Sequence, residues 1–416
     1  MNRFGEYRFE CNLPTPPLGE LHEFRDQSRF IVERNSLRKP SLKGLNARQY
    51  LSSIESYIPK EIISPQNYAE MKTLTSSFTG RITSFFGFET RLNNPDASSD
   101  YLFAVSSMKG EREALRDMLE KGCFPIKCMD LVVWQRIRNF TEKWTNPDSI
   151  LYNNVFGLWL EFDRAELSSP TPIPCIFIQT PLLRIDTPKD IKEFTWLTTS
   201  ALPLLTGHCV SKKLEKQMKK TLKHLPKGVG LMDVGVMLSR PTRGVRFCLV
   251  KIKPQDVIPY LTRLGWSDKK KRLTTLLKKV ETKVTRVVLH ITITEEGIDK
   301  KIGIECSFSP NRYHLETQWT TFLDYLIQKG ACLPEKKEAL LSFCGVEQEN
   351  TSIDFDFASY QVSAKIQNDS FSSALVRFIS HIKIIYTPDA PIEAKAYFGV
   401  RLFGNSYTSQ EGAFGL

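Results

Sequence analysis

Apolar and polar residues alternate in two neighbouring runs near the end of the chain, His381–Tyr386 and Glu393–Arg401. A Pro-Asp-Ala-Pro segment, typical of a turn, separates them. Because side chains of a strand point alternately to opposite faces, this pattern predicts a β-hairpin with one apolar and one charged face. The charged face carries His381, Lys383, Glu393, Lys395, Tyr397 and Arg401.

Four earlier pairs of runs show the same alternation. They cover Arg81–Leu92 with Tyr101–Ser107, Asn154–Asp163 with Pro174–Gln179, Gly230–Leu238 with Arg246–Ile252, and Thr285–Thr294 with Lys301–Phe308. Helical patterns precede the hairpins, over about 47–58, 65–76, 111–120, 131–144, 190–205, 212–224, 256–264, 270–280, 316–329 and 335–343. Two helices and a hairpin therefore recur about every 60–75 residues. The repeat lies in the pattern of apolar and polar positions, and the units share negligible sequence identity.

About ten sequential antiparallel strands form a sheet large enough to curl, and closure removes both exposed edges. We therefore predict an α+β fold, a closed antiparallel barrel of about ten strands ringed by α-helices in αββα repeats. The helices would cover the apolar faces and the polar faces would line a lumen wide enough for a ligand. Residues 46–416 are predicted to form this single domain, and residues 1–45, punctuated by prolines, an irregular segment.

The predicted lumen faces mix carboxylates, cations, hydroxyls and aromatic rings, which is typical of a binding cavity rather than a packed core. The first strand contributes Phe85, Gly87 and Glu89, and the second hairpin contributes Trp159 and Glu161. The third and fourth hairpins add Arg246 and His290.

This architecture resembles that of the ABBA prenyltransferases, whose ten-stranded antiparallel barrel encloses the reaction chamber. Gly87-Phe88-Glu89-Thr90 is similar to the Gly-x-Pro-x-Glu-x-Ser strand of the dimethylallyltryptophan synthase branch, and Lys395-Ala-Tyr397 to its Lys-x-Tyr strands. The proline of that branch is absent here and its serine is a threonine, so the resemblance does not identify the acceptor. It covers about residues 47–405 and implies an isoprenoid diphosphate donor with an aromatic small-molecule or peptide acceptor.

The residue chemistry suits such a transfer. Cations and phenols stabilise a diphosphate leaving group, and we assign that role to Arg246, Lys383, Lys395, Tyr397 and Arg401. Aromatic faces shield an allyl cation and form the acceptor pocket, with Phe85, Tyr101, Trp159 and His290 as candidates. Glu89 is the first candidate for the general base that takes the acceptor's proton, and Glu161 the second.

Other features narrow the possibilities. The nine cysteines form no Cys-x-x-Cys pair, which favours buried reduced thiols. Walker, His-Glu-x-x-His, Gly-x-Ser-x-Gly and Asp-Asp-x-x-Asp motifs are missing, so the interpretation requires no metal, although Mg²⁺ is compatible with it. No membrane-spanning run or signal-peptide core is present, and we expect a cytoplasmic protein with no membrane partner.

The net charge of +11 points to an anionic ligand or partner. Much of the excess lies in two lysine-rich runs, Lys212–Lys223 and Lys269–Lys279, with leucines at helical spacing. That spacing favours solvated outer faces of amphipathic helices. A terpene cyclase on the same barrel, or a non-catalytic binder of an acidic peptide or nucleic acid, remains the alternative, with nucleic acid the less favoured partner.

Overall fold

The computed structural model describes residues 46–78, 85–107, 110–120, 126–183, 194–240, 244–267, 270–309, 311–348 and 373–404. The segment 1–45, predicted to be irregular, lies outside the described residues, as do residues 81–84 of the first predicted hairpin. The domain boundary at residue 46 therefore stays a prediction.

One antiparallel sheet organises the chain. In order along the sequence its strands are β1 (Phe85–Arg91), β2 (Ser99–Ser106), β3 (Gly157–Phe162), β4 (Cys175–Leu183), β5 (Gly230–Val236), β6 (Val245–Val250), β7 (Arg286–Ile293), β8 (Ile298–Ser307), β9 (Gly345–Gln348), β10 (Ser373–Tyr386) and β11 (Glu393–Gly404). Each of the five predicted hairpins is present, with boundaries shifted by a few residues.

The sheet closes on itself. β1 pairs with β2 on one side and with β11 on the other, in a register that runs from Phe85 opposite Arg401 to Arg91 opposite Lys395. The ring then passes through β10 to β8, so ten strands complete it among the residues that the structure describes. This confirms the predicted closed antiparallel barrel.

Two strand segments were not predicted. β10 begins at Ser373 rather than near Ser380, and its first residues pair with β9, a strand that lies outside all the predicted runs. β9 contacts β10 at Ala374–Arg377, beyond the point where β8 pairs with Ile382–Tyr386. The extra strand therefore lengthens the wall at one end of the barrel.

Helices lie before and between the hairpins, as the periodicity predicted, and one short helix that was not predicted, Arg164–Leu167, lies within the second hairpin. They are α1 (Ala47–Ser53), α2 (Pro65–Ser76), α3 (Glu111–Glu120), α4 (Ile126–Met129), α5 (Val132–Thr145), α6 (Ile150–Asn154), α7 (Arg164–Leu167), α8 (Leu202–Thr206), α9 (Lys212–Lys223), α10 (Pro254–Leu264), α11 (Lys270–Glu281), α12 (Gln318–Gln328) and α13 (Pro334–Phe343), with a π-helical turn at Leu197–Ala201 and 3₁₀ turns at Glu55–Tyr57 and Tyr313–Leu315. None of the described helices has the length and hydropathy needed to cross a bilayer.

The main hydrophobic core lies between the helices and the outer face of the barrel. Leu273, Leu277 and Val280 of α11 are buried there, while Lys271 and Lys278 of the same helix are exposed. Each fully buried leucine contributes about 1.5–3 kcal/mol to holding the helix on the barrel. The lysine-rich helices are therefore amphipathic, with their basic residues on the outer side.

The inner face carries a separate aromatic cluster at one end of the barrel. Phe85 and Trp159 contact edge to face at 5.2 Å, and Tyr313 contacts Phe378 in the same way at 4.9 Å. Tyr313 enters from the turn after β8 and Val346 of β9 packs beside it. We call these four aromatic residues the aromatic floor of the lumen.

Two glycines let β1 and β11 pass closely. Gly87 lies opposite Gly399, and a Cβ on Gly87 would come 2.6 Å from the carbonyl oxygen of Phe398. A backbone carbonyl in a strand cannot move aside as the end of a flexible side chain can. We therefore expect Gly87→Ala to lower the free energy of unfolding by about 1–3 kcal/mol. Urea denaturation followed by tryptophan fluorescence measures it, and an unchanged midpoint would contradict the close approach.

Candidate active site in the barrel lumen

The lumen holds a cavity of about 110 Å³ between the charged faces of opposite strands. Its wall is aromatic at the floor and polar above it. The residues that line it include Phe85, Trp159, Glu161, Phe177, Asp233, Cys248, Arg286, His290, Glu305, His381, Lys383 and Tyr397. The lumen is thus not filled with aliphatic side chains, and it presents ionisable groups to any bound molecule.

Glu89 is the centre of one polar cluster. The ammonium group of Lys395 donates to one carboxylate oxygen, and the hydroxyl of Tyr397 donates to the other. The Nζ atom of Lys383 lies 3.8 Å from Glu89 Oε2 and also donates to the Tyr397 hydroxyl. Glu89 is only 2% exposed, so this network is shielded from solvent.

Strand register creates the Glu89 cluster. Glu89 lies directly opposite Tyr397 between β1 and β11, and Lys383 lies opposite Lys395 between β10 and β11. Because Lys395 and Tyr397 are two residues apart, they share the lumen face. Glu89 of the Gly87-Phe88-Glu89-Thr90 segment therefore meets the Lys395-Ala-Tyr397 segment across one pair of strands.

The protonation states in this cluster follow from burial and charge. Burial alone would raise the pKa of Glu89, but the ammonium groups of Lys395 and Lys383 hold it well below its usual range. Burial lowers the pKa of Lys383, although Glu89 and Glu161 oppose that shift. Glu89 is therefore a carboxylate throughout the physiological range.

Two more buried carboxyl groups, Asp100 and Glu161, lie beside Glu89, and ligand atoms of all three fall within 4.8 Å of one another. Burial, followed by the charge of Glu89, raises the pKa of both. Both oxygens of Glu89 are already bound by Lys395 and Tyr397, so a cation bound by all three groups would have to displace them. That the protein requires no metal stays a prediction, with Mg²⁺ compatible with it.

Arg240 links Glu161 to a further acid, Asp163. Its Nη2 atom lies 3.2 Å from Glu161, and its Nε atom donates to Asp163 at 2.8 Å. Arg240 comes from the turn between β5 and β6, and sequence reasoning did not select it. Its neighbours come from the β3 region, so only the folded barrel reveals the contact.

A second polar cluster lies across the lumen from Glu89. His290 Nε2 is 3.0 Å from Glu305 Oε2, and His381 Nε2 is 3.7 Å from the same oxygen. The Sγ atom of Cys248 lies 3.3 Å from His290 Nδ1. Of these residues only His290 was predicted as a site residue, and its predicted neighbours were aromatic rather than acidic.

The structure brings together most of the other predicted residues. Glu89, Lys383, Lys395 and Tyr397 form one cluster, with Glu161 at its edge. The lumen also receives Phe85 and Trp159, at its aromatic floor.

Three predicted residues lie outside the Glu89 cluster. Tyr101 packs on the outer face against Phe88 and Phe103, because Asp100 and not Tyr101 is the register partner of Glu89. The prediction that it lines the cavity is wrong. Arg401 lies six residues from Lys395, about 20 Å along β11. Arg246 lies two residues before Cys248 on β6. Neither arginine belongs to the Lys383–Lys395 cluster.

Asp233 contributes an unpaired acid to the cavity. It is 6% exposed, its Oδ1 atom has no hydrogen-bond partner among the described residues, and burial, reinforced by Glu305, raises its pKa to about 8. An acid with a raised folded-state pKa destabilises the fold as pH rises above its unfolded value near 4.

We therefore expect Asp233→Asn to stabilise the protein more at pH 9 than at pH 5, by a few kcal/mol at about 1.4 kcal/mol per pKa unit. Denaturant titrations at the two pH values measure the difference. A gain that does not depend on pH would show that Asp233 does not titrate between them.

Neither a protein-family model nor a curated protein matches the chain. Solved structures similar to it include the prenyltransferase PriB, with a TM-score of 0.45 and 11% identity over 84% of this chain and 94% of that one. The 5-dimethylallyltryptophan synthase from Streptomyces coelicolor gives 0.41 and 12% over 87% and 97%, and AnaPT from Neosartorya fischeri gives 0.44 and 10% over 85% and 92%. The strand order itself, ten antiparallel strands closed within a ring of helices, identifies the fold of the chain as the ABBA barrel.

Proposed function

We propose that the protein transfers an isoprenoid group from an allylic diphosphate to an aromatic or other nucleophilic acceptor, a small molecule or a peptide, within the barrel lumen. The observation that carries this proposal is the buried cluster of Glu89, Lys383, Lys395 and Tyr397 above an aromatic floor. Cations, a hydroxyl, a carboxylate and aromatic rings in one buried space support roles in stabilising the leaving group, accepting a proton and shielding a cation.

The leaving diphosphate needs positive charge and hydroxyl donors. Lys383 is the best placed, because it is buried, lines the cavity and lies 3.8 Å from Glu89 rather than in close contact with it. Tyr397 lines the same wall and stacks on His381 with ring centroids 4.2 Å apart. Charge-assisted bonds from these groups gain strength in a low-dielectric interior.

The allyl cation formed on ionisation needs shielding from water. Phe85, Trp159 and Phe177 line the cavity, and aromatic faces attract positive charge by about 0.5–2 kcal/mol each. The prenyl tail would lie toward these rings, and the diphosphate toward Lys383 and Tyr397.

The acceptor must lose a proton after the new carbon–carbon or carbon–heteroatom bond forms. An arenium ion is a strong acid, so even a carboxylate with a depressed pKa can accept its proton. Glu89 is our proposed base, with Glu161 second, because both carboxyl groups are buried beside the cavity. A cyclase would use the same ionisation and would release a hydrocarbon or an alcohol without an added acceptor.

The test is incubation of the purified full chain with prenyl diphosphates of increasing length and a panel of aromatic acceptors and peptides. Pyrophosphate release together with acceptor products heavier by one prenyl group would support transfer. Release with a terpene product in the absence of acceptor would support a cyclase. No pyrophosphate release with any donor would overturn both.

Two buried phenols provide a matched comparison. Tyr397→Phe removes a hydroxyl from the lumen cluster, whereas Tyr101→Phe removes one from the outer face. We expect the first to lower kcat about 10–1,000-fold and the second to leave kcat unchanged, as measured by pyrophosphate release. Equal effects of the two substitutions would contradict a leaving-group role for Tyr397.

A further inference from the structure

A thiol, an imidazole and a carboxylate follow one another across three adjacent strands on the wall opposite Glu89. Cys248 Sγ lies 3.3 Å from His290 Nδ1, and His290 Nε2 lies 3.0 Å from Glu305 Oε2. All three side chains line the cavity. Prenyl transfer as proposed above uses none of these contacts.

The strand register builds this arrangement. Cys248 lies opposite His290 between β6 and β7, and His290 lies opposite Gly303 between β7 and β8. A Cβ on Gly303 would come 2.9 Å from the Cβ of His290. The absent side chain at Gly303 leaves space for the imidazole to reach the next lumen-facing residue of β8, which is Glu305.

We propose that Cys248, His290 and Glu305 form a second reactive centre, a nucleophilic triad that accepts the acyl group of a small ester or thioester. A nucleophile within hydrogen-bond reach of a base, which a third group orients, is the arrangement that acyl transfer requires. This inference goes beyond the proposed prenyl transfer and does not depend on it.

The acid–base order follows from the contacts. The carboxylate of Glu305 accepts a hydrogen bond from the protonated Nε2 of His290. Nδ1 is then unprotonated, and its lone pair faces the thiol. Burial, together with the positive charges of Lys383 and Arg246, lowers the pKa of His290, although Glu305 opposes that shift, and the imidazole is neutral at pH 7. Burial raises the pKa of the Cys248 thiol, which therefore keeps its proton until the base removes it.

In the reaction, the sulfur lone pair attacks the carbonyl carbon while the thiol proton moves to Nδ1 of His290. The tetrahedral intermediate then expels the alkoxide or thiolate, which takes the proton from His290, and a thioester remains on Cys248. Water repeats the sequence with the same base, releasing a carboxylic acid and restoring the thiol. Glu305 stabilises the imidazolium in both halves without itself being protonated.

Asp233 provides an independent sign of a ligand at this centre. It lies opposite Cys248 between β5 and β6, and the Oδ1 atom of this buried residue has no hydrogen-bond partner among the described residues. With its pKa raised to about 8 by burial, it is a carboxylic acid at pH 7 and can donate to the oxyanion of the intermediate. Phe177 and Met232 beside it favour an apolar acyl chain.

The experiment uses the full chain with p-nitrophenyl acetate and p-nitrophenyl butyrate at pH 7. We expect a burst of about one p-nitrophenol per chain, and the peptide containing Cys248 to gain the mass of one acyl group. Cys248→Ser should remove this label, whereas Cys306→Ala, which changes a buried thiol on the outer face of β8, should not.

Glu305→Gln distinguishes acylation assisted by the triad from acylation of Cys248 merely because its thiol is accessible. It keeps the side-chain shape, and we expect the burst rate to fall on the order of 100- to 10,000-fold with KM nearly unchanged, while Glu305→Asp restores part of the rate. Labelling of Cys248 that does not differ between the wild type and Glu305→Gln would overturn the triad.

The wild-type chain alone also tests the proposal. Absence of acylation at Cys248, or acylation of the exposed Cys209 at an equal rate, would overturn it. So would modification of Cys248 by a prenyl diphosphate but by neither ester. Each of these outcomes can occur whether or not the chain releases pyrophosphate in the prenyl-transfer assay, so the two proposals fail separately.

Discussion

Lys395→Met is expected to lower the free energy of unfolding by about 3–5 kcal/mol, because it leaves a buried carboxylate without its main counter-ion. Glu89 is 2% exposed, and Lys383, at 3.8 Å, compensates it only in part. Methionine has a similar length and keeps the packing, so the loss reports charge rather than a cavity. Denaturant titration at pH 7 measures it.

The same substitution predicts a change in pH dependence. In the wild type the depressed pKa of Glu89 contributes stability above its unfolded value of about 4.5, and this contribution is lost as pH falls below that value. Without Lys395 the folded-state pKa of Glu89 rises above its unfolded value, and stability should then increase as the pH is lowered from neutral to pH 5. The double variant Glu89→Gln/Lys395→Met should recover most of the loss. A single variant as stable as the wild type would contradict the pairing.

Glu89→Gln is expected to lower kcat of prenyl transfer by about 100- to 10,000-fold, the range for removing a positioned general base. Glutamine retains the length and one acceptor oxygen but cannot take a proton from the alkylated acceptor. The assay compares pyrophosphate release and product formation at saturating donor. Release without coupled product would place the defect in proton removal rather than in ionisation.

Glu161→Gln is the matched control for that variant. Burial raises the pKa of Glu161, so a neutral amide resembles its protonated state more closely than it resembles ionised Glu89. We expect a smaller loss of kcat than for Glu89→Gln. The reverse order would make Glu161 the base, and equal small losses would remove both from the chemistry.

Much of the fold could be predicted from the sequence because strand alternation and helix periodicity are local signals. The faces of β1, β3 and β11 followed directly from the spacing of Glu89, Glu161 and Lys395. Closure of the sheet followed from the number of strands and the cost of free edges. β9 was missed because a four-residue strand carries too few alternations to be recognised.

Site residues that depend on strand register or on turns could not be predicted in the same way. Tyr101 was placed on the wrong face because β2 begins at Ser99, which makes Asp100 the partner of Glu89. Arg240 lies in a turn, where no periodicity fixes its direction. Asp233 did leave a signal, since it is the single charged residue of the apolar strand β5, Gly230–Val236.

The aromatic floor bears on how a donor lies in the lumen. Phe85, Trp159, Phe378 and Tyr313 pack together there. Aromatic rings do not compensate the desolvation of a charged phosphate, so the hydrocarbon end of a donor is expected against them and a diphosphate that lacks such an end should gain nothing from this surface.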